Sequence, residues 1–460
     1  MSRQLTLRQA FSVSGKGLHT GLPLTATFKP AAVGTGIRFK RIDLPGCPEI
    51  KALAEYVEQT ERGTVLVKND VKVSTIEHAS AALYAAGIDN CLIEVNGPEV
   101  PILDGSAIEY VENIEKAGIE EQSDEKEYFI VHEKMEVSNA EDGTSLVLLP
   151  YDGFSITCLI GFDSPILSNQ YARLEHMEDF GREVAACRTF VFVREVEMLL
   201  HHNLIKGGDL DNALVIYDRP TSQDNLDRLS DLMGVPRKPA SQLGYLNDGA
   251  LRFANEPARH KLLDLCGDLA LVGRQIKGHV IATHPGHKIN NQLARCIRKE
   301  ILRQDVQLPL FDTQQPPVMD AVKVSSLLPQ RWPSLMVDKV LYLSDHSIVS
   351  LKNLTSTESF FQGHFPDDPV FPGGLQIEGT TQTACLLLLN QTEKPERYRT
   401  LLTRIDNARF KGQARPGDTL LFKAKITSPM THGVARTKCY AFVGSTLIAE
   451  AEITTTFVKK

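Results

Sequence analysis

The chain has 460 residues, of which 42% are hydrophobic and 23% charged, values typical of a soluble globular protein with two or three domains. Its formal net charge of −7 argues against nucleic-acid binding as the main function. The N-terminus is polar, and the strongest apolar run, residues 384–389, is too short to cross a bilayer. The cysteines contain no Cys-x-x-Cys pair, which indicates reduced thiols. We therefore predict a cytoplasmic protein without a transmembrane segment.

Residues 1–125 are predicted to form strands and then helices, as one half of an α+β domain. Alternating and β-branched residues predict strands at 22–29, 37–41 and 91–95. A helix is predicted at 76–86 with Gly87 as its stop, and another from Asp104-Gly105-Ser106 to about residue 116.

Residues 126–305 are predicted to repeat this scheme as a second half. The predicted strands are 128–137, 145–149, 155–160 and 280–283, and the predicted helices lie near 193–203, at 259–272 and from about 288. Two similar βαα-type sandwich halves packed face to face would bring His78 against His260.

The helix predicted at 259–272 carries a stripe of possible metal ligands. His260, Asp264 and Asp268 recur every four residues and so share one helix face. A nitrogen ligand and a carboxylate one turn apart, with a further carboxylate beyond them, suit a metal ion and its surroundings. The alternative is a solvated polar face, although the neighbouring leucines indicate a half-buried helix.

Two other segments offer partners for this stripe. Glu77 and His78 enter an Ala-rich helix, and His287 follows a Gly/Pro turn. Two histidines and one aspartate leave a tetrahedral metal with an open position for water, with Glu77 as base and His287 as acid. Two alternatives stay open: Ser74-x-x-Glu77 is also a capping box, and the same ligands form the facial triad of Fe(II) oxygenases.

Residues 306–320 are Pro-rich and lack periodicity, which predicts an extended linker. In residues 321–460 a single apolar helix, ending near residue 390, precedes long strands at 419–427, 433–443 and 446–458. In the last strand, apolar residues from Ala449 to Phe457 alternate with Glu and Thr. One central helix wrapped by a long antiparallel sheet predicts a hotdog-like domain.

Residues 1 to about 300 resemble the zinc-dependent UDP-3-O-acyl-N-acetylglucosamine deacetylases of lipid A biosynthesis. The resemblance is carried, in order, by GKGLHTG (Gly15 to Gly21), STIEH, IDN, EVPILDGSA, RTF, RHKLLDLCGD and GHKINN.

This resemblance implies roles for individual residues. It implies Zn²⁺ held by His78, His260 and Asp264. The other implied roles are Glu77 as general base, His287 as general acid, Asp268 as its orienting carboxylate, Thr189 as oxyanion donor, Lys261 and Phe190 as substrate-binding residues, and Val193, Val196 and Leu200 as the acyl-chain passage. Core packing is an equally good interpretation of those last three.

Residues 321–460 resemble the hotdog-fold 3-hydroxyacyl-[acyl-carrier-protein] dehydratases. The matching segments are LLPQRWPSLMVDKV, FFQGHFPDDPVFPGG, QIEGTTQ, IDNARFKGQARPGD and AEAEITTTFV. The resemblance implies His364 and Glu378 as the catalytic pair and the Gly373 amide as a carbonyl-polarising group. Gln330 replaces the family's usual His, Gly374 a usual aliphatic residue, and Gly379-Thr380-Thr381 a typical Ala-Met-Ala.

Together these resemblances predict a bifunctional enzyme that acts on an acylated UDP-sugar and on a 3-hydroxyacyl chain bound to acyl-carrier protein. The family builds each dehydratase site across a dimer interface, which implies a homo-oligomer through the hotdog domain. The alternative is a non-catalytic C-terminal module that senses the acyl-carrier protein and regulates the deacetylase.

Overall fold

The computed structural model describes residues 2–195, 206–233, 237–247, 250–306, 316–431 and 433–459. The chain divides into two compact units, residues 1–299 and residues 300–460. The first unit contains mixed sheets and the second an antiparallel sheet, each with few helices, so the α+β fold class predicted from the sequence is confirmed.

The first unit contains nineteen strands and six helices among its described residues. The strands are β1 Arg3–Leu7, β2 Phe11–Lys16, β3 Pro23–Pro30, β4 Ile37–Arg41, β5 Glu49–Lys51, β6 Val57–Gln59, β7 Val65–Lys68, β8 Val71–Val73, β9 Cys91–Val95, β10 Ile119–Glu125, β11 Tyr128–Ile130, β12 Met135–Asn139, β13 Thr144–Leu149, β14 Phe154–Ile160, β15 Gln170–Leu174, β16 Phe190–Phe192, β17 Leu214–Tyr217, β18 Gly244–Tyr245 and β19 Gln275–Thr283. The helices are α1 Glu77–Ala85, α2 Ile108–Ala117, α3 Phe180–Glu183, α4 Gln223–Met233, α5 Glu256–Ala270 and α6 His287–Val306.

The two halves of this unit share one sheet topology. The first half has the strand order β2-β3-β9-β4-β5, and the second has β12-β13-β19-β14-β15. In both sheets the third and fourth strands are parallel and the other neighbours antiparallel. The two similar halves predicted from the sequence are therefore confirmed. Their similarity lies in the topology and not in the sequence.

Helices α1 and α5 join the halves. Nearly every residue of both helices is buried. Most of these residues are small or apolar, such as the alanines of α1 and the leucines of α5, and few are polar. Their backbones approach closely at Gly267, where a Cβ atom would lie 2.1 Å from the Glu77 carbonyl oxygen. A glycine is required at this position because any side chain would push the helices apart.

Most predicted elements of this unit are confirmed, with one error. The predicted strand 128–137 is two strands, β11 and β12, which pair with different neighbours. Between them His132, Glu133 and Lys134 form an exposed break in the β-branched and apolar run. The helix predicted near 193–203 falls mostly outside the described residues.

The second unit is a six-stranded antiparallel sheet with one long buried helix. Its elements are α7 Ala321–Leu327, β20 Lys339–Leu343, β21 Ser347–Asn353, α8 Gly373–Asn390, β22 Tyr398–Phe410, β23 Thr419–Thr431, β24 Val434–Val443 and β25 Thr446–Lys459. The strand order is β20-β21-β23-β24-β25-β22. Leu386, Leu387 and Ala384 of α8 pack against Ala424, Cys439 and other inward residues of the sheet.

The hotdog layout predicted for this unit is thus confirmed, including the buried positions Ala449, Ala451 and Ile453 of β25. The sequence did not reveal β20, β21 or the edge strand β22. Among the described residues no helix is long and apolar enough to span a membrane. The predicted linker, 306–320, lies largely outside the described residues, so its conformation stays a prediction.

The contact at Gly267 yields a stability prediction. Gly267→Ala should lower the free energy of unfolding of the first unit by about 1–3 kcal/mol, because the added methyl meets the Glu77 backbone and over-packs the helix pair. Urea denaturation followed by circular dichroism measures the change. Gly181→Ala is the matched control, since its methyl would meet only Val111 Cγ1, at 3.5 Å. Equal stability of both variants would contradict the close-packing argument.

Candidate active sites

Three buried side chains converge where α1 and α5 lie side by side. The ligand-type atoms of His78, His260 and Asp264 all lie within 4.8 Å of one another, the one such group of three among the described residues. Asp264 Oδ1 is 3.3 Å from His260 Nε2 and 3.8 Å from His78 Nε2. The two imidazole rings stand edge to face, with centroids 5.1 Å apart, so the predicted meeting of the two halves is observed.

The protonation of these groups suits a divalent cation. His260 Nδ1 lies 3.0 Å from the Cys187 carbonyl oxygen, which can only accept, so Nδ1 carries a hydrogen and Nε2 is the ring nitrogen that faces Asp264. Burial, together with the neighbouring His260, lowers the pKa of His78 to about 3 and keeps that ring neutral. Burial alone would raise the pKa of Asp264, but Lys261 and the nearby histidines hold it well below its ordinary value.

Glu77 begins α1 and faces this group. Its Oε2 accepts a hydrogen bond from the backbone N–H of Thr64, at 3.1 Å. Burial raises the pKa of Glu77 to about 7, and the carboxylates of Asp264 and Asp268 add to that effect against the opposing influence of His287. A carboxyl group poised near neutral pH is suited to accepting a proton.

The capping-box interpretation of Ser74 and Glu77 is wrong. The Ser74 hydroxyl donates to the Pro98 carbonyl oxygen, 3.1 Å away, and the N-cap residue of α1 is Ile76, without a side-chain capping bond. Glu77 therefore does not close a capping box with Ser74.

His287 and Asp268 form a buried pair. His287 Nδ1 lies 2.9 Å from Asp268 Oδ2, and its Nε2 lies 3.9 Å from Asp264 Oδ2. Burial opposes protonation of His287, yet Asp268, with Asp264, outweighs it and raises the pKa of the ring to about 9. The ring therefore carries a proton at neutral pH, which is the state an acid needs.

These groups open into a cavity of about 510 Å³, whose lining includes Lys261, Thr189 and Phe190. Lys261 Nζ lies 2.9 Å from Asp264 Oδ2 and 5.5 Å from the centre of the Phe190 ring. The backbone of Thr189 is fixed on both sides, by a bond from its N–H to the Gly105 carbonyl and one from the Leu214 N–H to its own carbonyl. All the residues predicted for catalysis in this unit therefore lie together, although their roles stay predictions.

The residues of the predicted acyl passage lie only partly within the described residues. Thr189 and Phe190 also line a smaller apolar cavity, of about 60 Å³, together with Leu18, Val191 and Val215. Val193 lines neither cavity and packs in a small apolar cluster with Tyr217 and Leu226 among others, which favours the core-packing interpretation for this residue. Val196 and Leu200 lie outside the described residues.

Several site residues escaped the sequence interpretation. Thr64 and Asn290 both donate to Asp268, and Glu99 is fully buried and accepts hydrogen bonds from the backbone of His19 and Thr20. Asn290 and Glu99 lie inside two of the motifs that carry the family resemblance, and this position could have identified them. Thr64 lies in a segment without any motif, and only the tertiary structure reveals it.

In the second unit, the two predicted catalytic residues have different hydrogen-bond partners. His364 Nδ1 lies 2.8 Å from the Val370 carbonyl, so Nδ1 carries the hydrogen and Nε2 is free to act as a base. Glu378, in the second turn of α8, accepts from Gln382 Nε2 at 2.7 Å and from Gln330 Nε2 at 3.5 Å, both at Oε1. Within the described chain, His364 and Glu378 form neither a hydrogen bond nor an ion pair with each other.

The departures from the dehydratase pattern have physical explanations in two cases. The side chain of Gln330 donates a hydrogen bond to Glu378, so the glutamine is compatible with Glu378 as the proposed acid. A Cβ atom on Gly379 would lie 2.3 Å from the Phe422 ring, so this glycine admits a large aromatic side chain from β23. Gly374 faces open space, and nothing in the structure explains it.

Comparison with known proteins gives the same division of the chain. Residues 4–231 and 240–299 match the family described as UDP-3-O-acyl N-acetylglycosamine deacetylase, and residues 328–452 match the FabA-like domain. The chain is 54% identical over 459 residues to the "Bifunctional enzyme LpxC/FabZ" of Bacteroides thetaiotaomicron, covering 100% of both chains.

Two further relatives show the same pattern. The protein of the same name from Chlorobaculum tepidum is 42% identical, with 99% of both chains covered. The UDP-3-O-acyl-N-acetylglucosamine deacetylase of Alcanivorax borkumensis is 39% identical over 66% of this chain and 91% of its own length.

Proposed function

The chain belongs to the UDP-3-O-acyl N-acetylglycosamine deacetylase family and carries a FabA-like domain after it, and from this membership we propose how its residues perform two reactions. It is a bifunctional enzyme of lipid A and fatty-acid biosynthesis. One reaction hydrolyses the acetamide of a UDP-3-O-(3-hydroxyacyl)-N-acetylglucosamine. The other dehydrates a (3R)-hydroxyacyl chain on acyl-carrier protein to the trans-2-enoyl form.

The deacetylase unit is proposed to be zinc-dependent, with His78, His260 and Asp264 as ligands. The observation that supports this proposal is the convergence of two imidazole rings and one ionised carboxylate in a buried pocket. When bound, zinc supplies Lewis-acid chemistry that activates water and polarises a carbonyl oxygen. Nitrogen and oxygen donors in this number suit Zn²⁺.

The proton transfers are assigned to residues on either side of the ligands. Glu77 removes a proton from the attacking water, and its pKa near 7 suits that task. His287, protonated at neutral pH and held at Nδ1 by Asp268, donates from Nε2 to the departing amine. Thr189 is proposed to donate to the developing oxyanion, and Lys261, in the same cavity, to bind an anionic part of the substrate.

In the second unit, His364 and Glu378 are proposed to carry out the dehydration. His364 Nε2 removes the proton next to the thioester carbonyl, and Glu378 protonates the departing hydroxyl. Gly373 is the first residue of α8, so its amide and the helix N-terminus can polarise the thioester carbonyl. The substrate is delivered by acyl-carrier protein.

Because no hydrogen bond or ion pair joins these two residues within the described chain, we propose that each site forms between two copies. The edge strand β22 has thirteen residues and one unpaired edge, and it exposes Leu401, Leu402, Ile405 and Phe410. An edge of this kind is a template for a second strand. Phe410 also lies against Gly373, so a partner on β22 would approach the start of the catalytic helix.

We also propose a cytoplasmic location. All eight cysteines are free in the structure, seven of them buried or partly buried, as expected for a protein kept in a reducing compartment.

Removal of the carboxylate ligand should abolish metal binding and hydrolysis together. Asp264→Ala leaves only two imidazoles, so we expect loss of zinc and at least a 100-fold fall in deacetylation, roughly the scale for a lost metal function. Metal analysis and a deacetylation assay measure both effects, with Asp152→Ala, an exposed aspartate, as control. Stoichiometric zinc with normal turnover would contradict the ligand set. Purified protein that contains iron and needs O₂ would favour the oxygenase interpretation instead.

Replacement of the base should separate catalysis from metal binding. Glu77→Gln should retain zinc and lose roughly two to four orders of magnitude in deacetylation rate, the usual contribution of a positioned base. Ser74→Ala is the control, since it removes the supposed cap partner and should leave the rate unchanged. A Glu77→Gln enzyme of normal rate would remove this residue from the mechanism.

Subunit mixing tests the shared dehydratase site. When His364→Ala and Glu378→Gln chains are unfolded together and refolded, about a quarter of the wild-type activity should return, because half of the dimers are mixed and each holds one intact pair. The control mixes Asp264→Ala with His287→Ala and follows deacetylation, which should show no rescue since both residues belong to one chain's site. A monomeric protein with full dehydratase activity would refute the shared-site proposal.

A further inference from the structure

Thr64 touches three of the groups to which the deacetylase mechanism assigns a function. It is fully buried, in the loop before β7. Its hydroxyl lies 2.5 Å from Asp268 Oδ1 and 3.4 Å from His287 Nδ1, and its backbone N–H donates to Glu77 Oε2 at 3.1 Å. One residue from the first half of the unit thus contacts the base and both members of the acid pair.

The hydroxyl completes the hydrogen bonding of Asp268. His287 Nδ1 and Asn290 Nδ2 both bind Oδ2, at 2.9 Å each. Among the described residues, Thr64 is the one donor to the other oxygen, Oδ1. Without that bond, a fully buried carboxylate oxygen would lack a partner, and the carboxylate could rotate away from His287.

The direction of the hydroxyl bond follows from proton counting. A threonine hydroxyl has one hydrogen, and the short contact to the acceptor Asp268 takes it. His287 Nδ1 already directs its own hydrogen to Asp268 Oδ2, so the longer contact to Thr64 adds little. Asp268 therefore stays fully engaged as an acceptor, and the transferable proton is confined to Nε2 of His287.

The backbone of Thr64 acts on the base in a similar way. Its N–H occupies Glu77 Oε2, while Oε1 lies on the side of Gly63, where a Cβ atom would come within 3.1 Å of it. The absence of a side chain at Gly63 leaves space beside Oε1. Thr64 therefore fixes the Glu77 carboxylate through one of its two oxygens.

We propose that Thr64 is a positioning residue that holds the general base Glu77 and, through Asp268, the general acid His287 in register with each other. This inference rests on the proposed roles of Glu77 and His287. A purely structural threonine would instead support only the local fold of its loop, and the two possibilities differ in how Thr64 couples to His287.

The first experiment removes the hydroxyl and keeps the shape. Thr64→Val should lower the deacetylase kcat roughly 10- to 100-fold with KM nearly unchanged, on the scale seen when a group that orients a catalytic residue is lost. Thr64→Ser should restore most of kcat. Thr6→Val is the matched control, because Thr6 is also buried and bonded through its hydroxyl, to the Asn90 carbonyl, away from the site.

Zinc content and the dehydratase activity of the same full-length chains report on folding. If Thr64→Val loses zinc or solubility, Thr64→Ala, which removes the hydroxyl without adding a methyl, takes its place. A kcat equal to that of wild type in a zinc-loaded hydroxyl-deleted variant overturns the inference, as does failure of Thr64→Ser to restore activity.

The second experiment is a double-mutant cycle with His287→Ala. If Thr64 acts through the acid pair, Thr64→Val should cost little or nothing further in the His287→Ala background, since the group it positions is gone. Full additivity of the two losses overturns the inference. An unaffected rate in the His287→Ala single variant contradicts the proposed function itself, whereas a slow His287→Ala enzyme beside a normal Thr64→Val enzyme contradicts only the role of Thr64.

Discussion

The backbone contact between α1 and α5 is the constraint on which the deacetylase site depends. Glu77 places its carbonyl against Gly267, and its side chain and the neighbouring His78 face the other helix from that point. Asp264 and Asp268 lie three residues before and one residue after Gly267, so they stand on either side of the contact. A gap of even a methyl group would separate the groups of one half from those of the other, because packed interiors do not adapt without cost.

The same contact buries several ionisable side chains away from water, and hydrogen bonds among them offset the cost of that burial. Each buried carboxylate has donors: Asp264 has Lys261, Asp268 has His287 and Asn290, and Glu77 has the backbone of Thr64. Isolated charges at this depth would neutralise, since burial without partners costs more than a proton transfer. Burial raises the pKa of Glu77 to about 7, whereas Lys261 and the nearby histidines hold the pKa of Asp264 well below its ordinary value, so the environment separates a proton acceptor from an anion.

The sequence revealed the parts of this molecule that depend on local spacing. The i, i+4 stripe of α5, the hydrophobic helix α8 and the alternation of β25 follow from periodicity, and all three were found. Contacts between distant segments were not accessible: Thr64 reaches Asp268 across 204 positions of the chain, and nothing in its neighbourhood marks it. The capping-box interpretation was wrong for a related reason. The Ser74 hydroxyl binds the carbonyl oxygen of Pro98, a tertiary contact, rather than the start of the helix. The edge strand β22 was missed since its residues are mostly exposed and lack an apolar rhythm.

The two deacetylase halves share one strand order, yet the site that they hold is not symmetric. The first half supplies Glu77 and His78, and the second supplies His260, Asp264 and the His287–Asp268 pair. Hydrolysis of an amide has two distinct ends: water adds to the carbonyl carbon, and the protonated amine then leaves the tetrahedral intermediate from another position. Two identical halves would present the same side chains to the attacking water and to the departing amine, and so could not distinguish them. Because the two halves carry different side chains, two halves of one topology can act differently on the attacking water and on the departing amine.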